Sequence, residues 1–155
     1  MNTREVAEAL QKDLYAGRSF AGVYPRNGLP KHLPHPTTNG LVINTDHSRG
    51  PGEHWVAVWF DGRGQAEYFD SFGLPPSFYP DIERFILNHS YRYHHNQRLL
   101  QDLTSSACGY YVLYFLFKKS RGVSLSRLLS LFHPHKLRMN DRRVTSYVRA
   151  INKCR

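Results

Sequence analysis

The stretch LQDLTSSACGYYVLYFL, residues 100–116, places Cys108 where small polar residues give way to a long apolar run. A thiol in the first turn of a helix feels the positive end of the macrodipole, which favours the thiolate and nucleophilic attack. Free cysteine is also among the most often buried residue types, and taken alone Cys108 reads more readily as a core thiol. Nucleophilic chemistry needs a base beside the thiol, and the base needs an acid to orient it. His54 in HWVAVWF and Asp70 in QAEYFD supply both types. The two segments read as strands, DGRG between them reads as a hairpin turn, and His54 and Asp70 lie almost equally far from that turn. On antiparallel strands they end opposite or nearly opposite each other. A carboxylate there can accept the imidazole N–H, fix its tautomer and stabilise the imidazolium. A Cys–His–Asp constellation then requires that the helix starting at Cys108 pack its N-terminus against that end of the sheet.

The elements that must do this can be read along the chain. With 155 residues, one domain spanning 1–155 with one good core is expected. Thr3 is expected to cap a first helix carrying Val6, Leu10 and Leu14 and stopping near Gly17. Four prolines in PRNGLPKHLPHPTTNG exclude regular structure there. Strands are predicted over 41–44, 54–60 and 65–70, a helix in PPSFYPDIERFILNHS, and one or two strands in RYHHNQRLL. A helix should run from Cys108 to about Lys119, followed by helices in SLSRLLSLF, capped by Ser124, and DRRVTSYVRAIN. Helix, then strands, then helices indicates an α+β domain with a central sheet flanked by helices.

Composition narrows the function classes. Two cysteines make no disulfide framework and suit a reducing, intracellular compartment. The polar N-terminus lacks the apolar core of a secretory signal, and no apolar run reaches membrane-spanning length, so no membrane partner is expected. The nine histidines invite a metal reading, but His94 and His95 point to opposite faces of a strand, and His133 and His135 lack a cysteine or carboxylate at zinc-ligand spacing. No metal is expected.

The motifs GEHW, FDSFG and QDLTSSACGYY, in that order, resemble those of the adenovirus-type (adenain-like) cysteine proteases, together with relatives from large viruses, Maverick/Polinton-type transposons and virus-like elements. FAGVYPRNGLP, LVINT and NDRRVTSYV resemble further segments of that family, so the likeness covers most of the chain. It implies a papain-like cysteine protease fold in circularly permuted motif order: His, Asp, Gln, Cys. Carried over by position, it makes Cys108 the nucleophile, His54 the base and later the acid, and Asp70 the orienting group. Gln101 and the Cys108 backbone N–H become the oxyanion hole. Trp55 would pack beside His54, and Gly109 would leave space where substrate backbone passes the thiol. Glu53 and Ser71 flank the site and receive no role. Without the motif Gln101 would read as a solvated strand-end residue.

The resemblance has limits. No cysteine precedes Cys108, so the disulfide-linked peptide activator of the adenoviral enzymes has no partner here, and a noncovalent peptide remains open. Asp70 stands where those enzymes have glutamate, and Cys154 reads as a bystander thiol. The separation of Gln101 from Cys108 is similar to the adenoviral pattern and longer than expected for SUMO-deconjugating relatives.

Net charge is +9, and it is concentrated late in the chain. From position 118 onward Lys118, Lys119, Arg121, Arg127, Lys136, Arg138, Arg142, Arg143, Arg149, Lys153 and Arg155 face Asp141 alone. Such a block favours a polyanion, and no helix-turn-helix or zinc-finger signature accompanies it. Double-stranded DNA bound through phosphates without sequence specificity is therefore the expected partner and activator, with Lys118, Lys119, Arg138, Arg142, Arg143 and Arg149 as contacts. No cofactor is required. Together with the resemblance, these features imply a monomeric endopeptidase of the host nucleus and virion. It would cut viral or virus-like precursor proteins near glycine during particle assembly. The competing expectations are a ubiquitin-like-protein deconjugase, acyl transfer to another nucleophile, and a basic DNA-binding protein whose protease site has decayed.

Overall fold

A computed structural model describes residues 1–50 and 54–154; Glu53 and Arg155 lie outside the described residues. The chain runs α1 (Thr3–Lys12), β1 (Phe20–Pro25), β2 (Asn39–Asn44), β3 (Trp55–Phe60), β4 (Gln65–Phe69), α2 (Pro80–His89), β5 (Arg92–His95), α3 (Cys108–Ser120), α4 (Leu125–Ser130) and α5 (Leu137–Lys153). The strands form one sheet in sequence order. β2, β3 and β4 pair antiparallel, while β1 on β2 and β5 on β4 are parallel. The result is an α+β fold with a mixed central sheet covered on both faces.

Alternation along the strands divides the core. Val42, Ala57, Trp59 and Phe69 face α3, α1 and α5, whereas Leu41, Ile43, Val56, Val58 and Tyr68 face Ile82, Phe85 and Ile86 of α2. α3 is hydrophobic nearly all round because it is buried nearly all round, from Tyr111 to Phe117. Phe115 stacks on Phe69 with ring centroids 4.8 Å apart, and burying each such ring contributes about 2–3 kcal/mol. This contact carries α3 across the sheet and brings its first residue, Cys108, beside the start of β3.

Several boundaries differ from the sequence expectation. Asn2, not Thr3, caps α1: its Oδ1 accepts from Glu5 N at 3.0 Å and Glu5 Oε2 accepts from Asn2 N at 2.7 Å. The helix ends at Lys12 rather than near Gly17. There Asp13 accepts from Ala16 N at 2.8 Å and pairs with Arg121 at 2.8 Å, and Leu14 is left exposed. β1 was not expected, since Gly22 and Pro25 weaken a strand signal. It is an edge strand, where proline is tolerated, and Gly22 sits at a register shift with φ +124°. RYHHNQRLL yields one strand, β5, and α5 starts four residues earlier than DRRVTSYVRAIN suggested. Buried Asn140 fastens that early turn: its Oδ1 accepts from His133 N at 2.8 Å, and its Nδ2 donates to His133 O and Leu100 O.

Candidate active site

β3 begins one residue after His54 and β4 ends one residue before Asp70, so both side chains stand at the mouth of the hairpin. The Ala57–Phe69 register, continued outward, sets Asp70 against Val56 and His54 against Phe72. Asp70 therefore meets the histidine diagonally rather than directly opposite, and His54 Nε2 bonds Asp70 Oδ1 at 2.7 Å. Phe72 takes the facing position and stacks on the imidazole, centroids 4.6 Å apart at 25°.

Asp70 itself is fully buried. Its Oδ1 also accepts from Phe72 N at 2.8 Å, closing an Asx turn that Gly73 completes at φ +76°, with Gly73 N donating to Asp70 O. Asn96, just after β5, clamps the same residue: its Oδ1 accepts from Asp70 N at 3.0 Å and its Nδ2 donates to Asp70 O. Burial alone would discharge the imidazole, but the bonds to Asp70 and to Cys108 outweigh it and raise the His54 pKa to about 9. Burial likewise opposes the Cys108 thiolate, and the bonds from His54 and from the Trp55 and Gly109 backbone outweigh it, so that thiol is held below its ordinary range. With Nε2 committed to Asp70, Nδ1 is the nitrogen left for the thiol. Both directions favour the thiolate–imidazolium pair over the neutral thiol and imidazole. The imidazolium persists up to about pH 9 and is lost above it, and the stability it lends the fold is complete below about 6.5 and disappears over the same rise.

Gln101 is 1% exposed and lies in the segment before α3. Its Oε1 accepts from Ser71 Oγ at 2.6 Å, and its Nε2 donates to Ser105 O at 2.9 Å and lies 3.2 Å from Ser105 Oγ. Tyr111 Oη lies 3.0 Å from Leu100 O and 2.8 Å from Asp141 Oδ1, two acceptors for its one hydrogen, and this ties that segment to α3. Gly109 is buried, and a Cβ there would stand 2.9 Å from the Trp55 ring and 3.0 Å from Met1 Sδ. Its lack of a side chain therefore lets Trp55 pack against the start of α3 rather than leaving open space for substrate, and Trp55 belongs to the main core. Ser71 flanks the site in the sequence without a role, and Phe72 and Asn96 carry no sequence signal of a site; only contacts made in the folded chain bring the three out.

The basic residues separate into different roles. Arg138, Arg142 and Arg149 are exposed and recur along one side of α5. Arg143 donates to Leu131 O, and Lys118 lies 4.5 Å from the Tyr147 ring centroid. Lys119 does not join that face: its side chain is 9% exposed and pairs with Glu67 at 2.9 Å. Among the described residues no group of three His, Cys, Asp or Glu side chains could hold a metal ion, and no helix is long and apolar enough to cross a membrane.

No protein-family model matches the chain. Over 103 residues it is 33% identical to the cysteine protease of African swine fever virus from a Malawi tick isolate, covering 60% of this chain and 38% of that protein. A homologue from a South African tick isolate, described as a SUMO-1 cysteine protease, is 32% identical over 103 residues with the same coverage. The chain thus spans well under half the length of the curated relatives it matches. The crystal structure of the African swine fever virus protease superposes with a TM-score of 0.59 at 21% identity, covering 92% of this chain and 65% of that one. The chain is therefore similar to cysteine proteases in sequence and shares their fold. That likeness is broader than the adenovirus-type family expected from the motifs.

Proposed function

We propose that the chain is a cysteine endopeptidase, with Cys108, His54 and Asp70 as its triad, that processes viral or virus-like precursor proteins beside glycine. The observation that carries this reading is the thiol at the N-terminus of α3, paired with an imidazole that Asp70 holds at 2.7 Å. The Cys108 thiolate attacks the substrate carbonyl carbon, and the oxyanion takes hydrogen bonds from the Cys108 N–H and the Gln101 amide. His54 gives its proton to the amine as the C–N bond breaks, leaving a thioester on Cys108. Neutral His54 then takes a proton from water, whose oxygen displaces the thiolate. An open cleft of about 400 Å³ lined by Val23, Tyr24, Asn44 and His47 lies at the same end of the sheet and offers room for the acyl side of a peptide. Incubation with peptides containing Gly-Gly and with a ubiquitin-like vinyl sulfone separates endopeptidase from deconjugase. The deconjugase is the second reading, favoured by the description of one relative as a SUMO-1 protease.

Two outcomes follow from the site. Peptide cleavage should fall as pH rises through about 9, because the leaving amine needs the His54 proton, whereas alkylation of Cys108 should continue. A pH–rate profile flat to pH 10 would remove His54 as the acid. Gln101→Ala should lower kcat by about a hundredfold, the ~3 kcal/mol of one oxyanion donor, with KM little changed. A defect confined to KM would count against an oxyanion role.

Double-stranded DNA is the proposed polyanion partner and activator, met in the nucleus or virion, and a noncovalent peptide is a second activator to test. The exposed arginines along α5 support it. Charge reversal of Arg138, Arg142 and Arg149 to glutamate should reduce the slope of log K against log salt by about 0.9 per lost phosphate contact, while leaving DNA-free cleavage unchanged. Equal DNA affinity in the triple variant would make this face a solvated surface.

A further inference from the structure

Three consecutive residues after β4 touch the proposed machinery, two at His54 and one at Gln101. Asp70 holds His54 Nε2, Ser71 Oγ donates to Gln101 Oε1 at 2.6 Å, and Phe72 lies flat on the imidazole. These residues lie in the turn that Gly73 N closes onto Asp70 O, so one short segment reaches both the base and the oxyanion donor.

The geometry points to Ser71 as the positioning residue that sets which end of the Gln101 amide faces the substrate, an inference that rests on the peptidase reading. The amide is symmetric in shape, so its two ends are told apart only by their partners. Ser105 O can only accept, which places Nε2 on that side at 2.9 Å. The oxygen is then turned inward, where Ser71 and Gln101 are each 1% exposed. The Ser71 hydroxyl supplies the donor that this oxygen needs. Its carbonyl also accepts from Leu100 N at 2.9 Å and Gln101 N at 3.2 Å, so Ser71 fixes the glutamine by backbone and side chain together. One amide hydrogen stays on Ser105 O, and the second, shared with the rotatable Ser105 hydroxyl at 3.2 Å, is the one an oxyanion takes. Removing the Ser71 hydroxyl leaves a buried oxygen without a donor and frees the amide to turn.

The test compares wild type, Ser71→Ala, Gln101→Ala and the double variant in the full chain. Ser71→Ala should lower kcat about tenfold with KM within about twofold, the scale of one neutral hydrogen bond. Alkylation of Cys108 by iodoacetamide forms no oxyanion, so its rate and pH profile should be unchanged. In the Gln101→Ala background, Ser71→Ala should cost nothing more. A parallel loss of alkylation, an unchanged kcat, or independent multiplying effects would each overturn the inference. If wild type cleaves no peptide, the peptidase reading fails on its own. The Gln101 side-chain ¹⁵N amide signals then decide the Ser71 role, since faster hydrogen exchange in Ser71→Ala supports it and unchanged signals refute it.

Discussion

Cys108→Ala is expected to reduce peptide hydrolysis to background, a loss on the order of 10⁵–10⁶, with the chain still folded. The nucleophile forms the covalent thioester, and no other described group can replace it, since Cys154 is exposed near the end of α5. The fold should tolerate the change: Cys108 is only partly buried at the helix start, and α3 is held by Tyr111 to Phe117 in the core. Kinetics and thermal unfolding on the same preparation check both halves. Residual cleavage above about one thousandth of wild type would remove Cys108 from its role.

Asp70→Asn should lower cleavage by about a thousandfold, within the 10²–10⁴ range of positioned acid–base catalysis. The amide oxygen can still accept from His54 Nε2 and Phe72 N, and Asn96 still holds the backbone, so geometry changes little. What is lost is the negative charge. His54 no longer has the carboxylate that helps raise its pKa to about 9, so the imidazolium is given up at lower pH. The alkaline limb of the rate profile should therefore move downward. The Cys108 thiol should correspondingly titrate higher, because a less charged imidazole stabilises its thiolate less. A profile superimposable on wild type would take Asp70 out of the site.

The parts legible in the sequence were those carried by local pattern. The long apolar run after Cys108 reads as a buried helix, and the two strand-like segments around DGRG read as a hairpin, which brings His54 and Asp70 together within one diagonal step. Asn2 and Thr3 are both good caps, and only the reciprocal bond with Glu5 decides between them. β1 lacked a strand signal because Gly22 and Pro25 are tolerated only at an edge, and being at an edge is a property of the whole sheet. Ser71, Phe72 and Asn96 carry no motif of their own, and their contacts depend on register and on β5 lying beside β4. Lys119 looked like part of a basic face because its partner, Glu67, sits on a strand far away in sequence.

The central claim is a thiol made reactive by its setting, and the chain carries its own control in the more exposed Cys154. The deciding measurement is intact-mass and peptide-map mass spectrometry after limiting exposure to a peptide vinyl sulfone ending in Gly-Gly at neutral pH. The account predicts one adduct, on Cys108, lost in His54→Ala, with Cys154 unmodified. Labelling of Cys154 in preference to Cys108, or labelling of Cys108 that survives loss of His54, would contradict it.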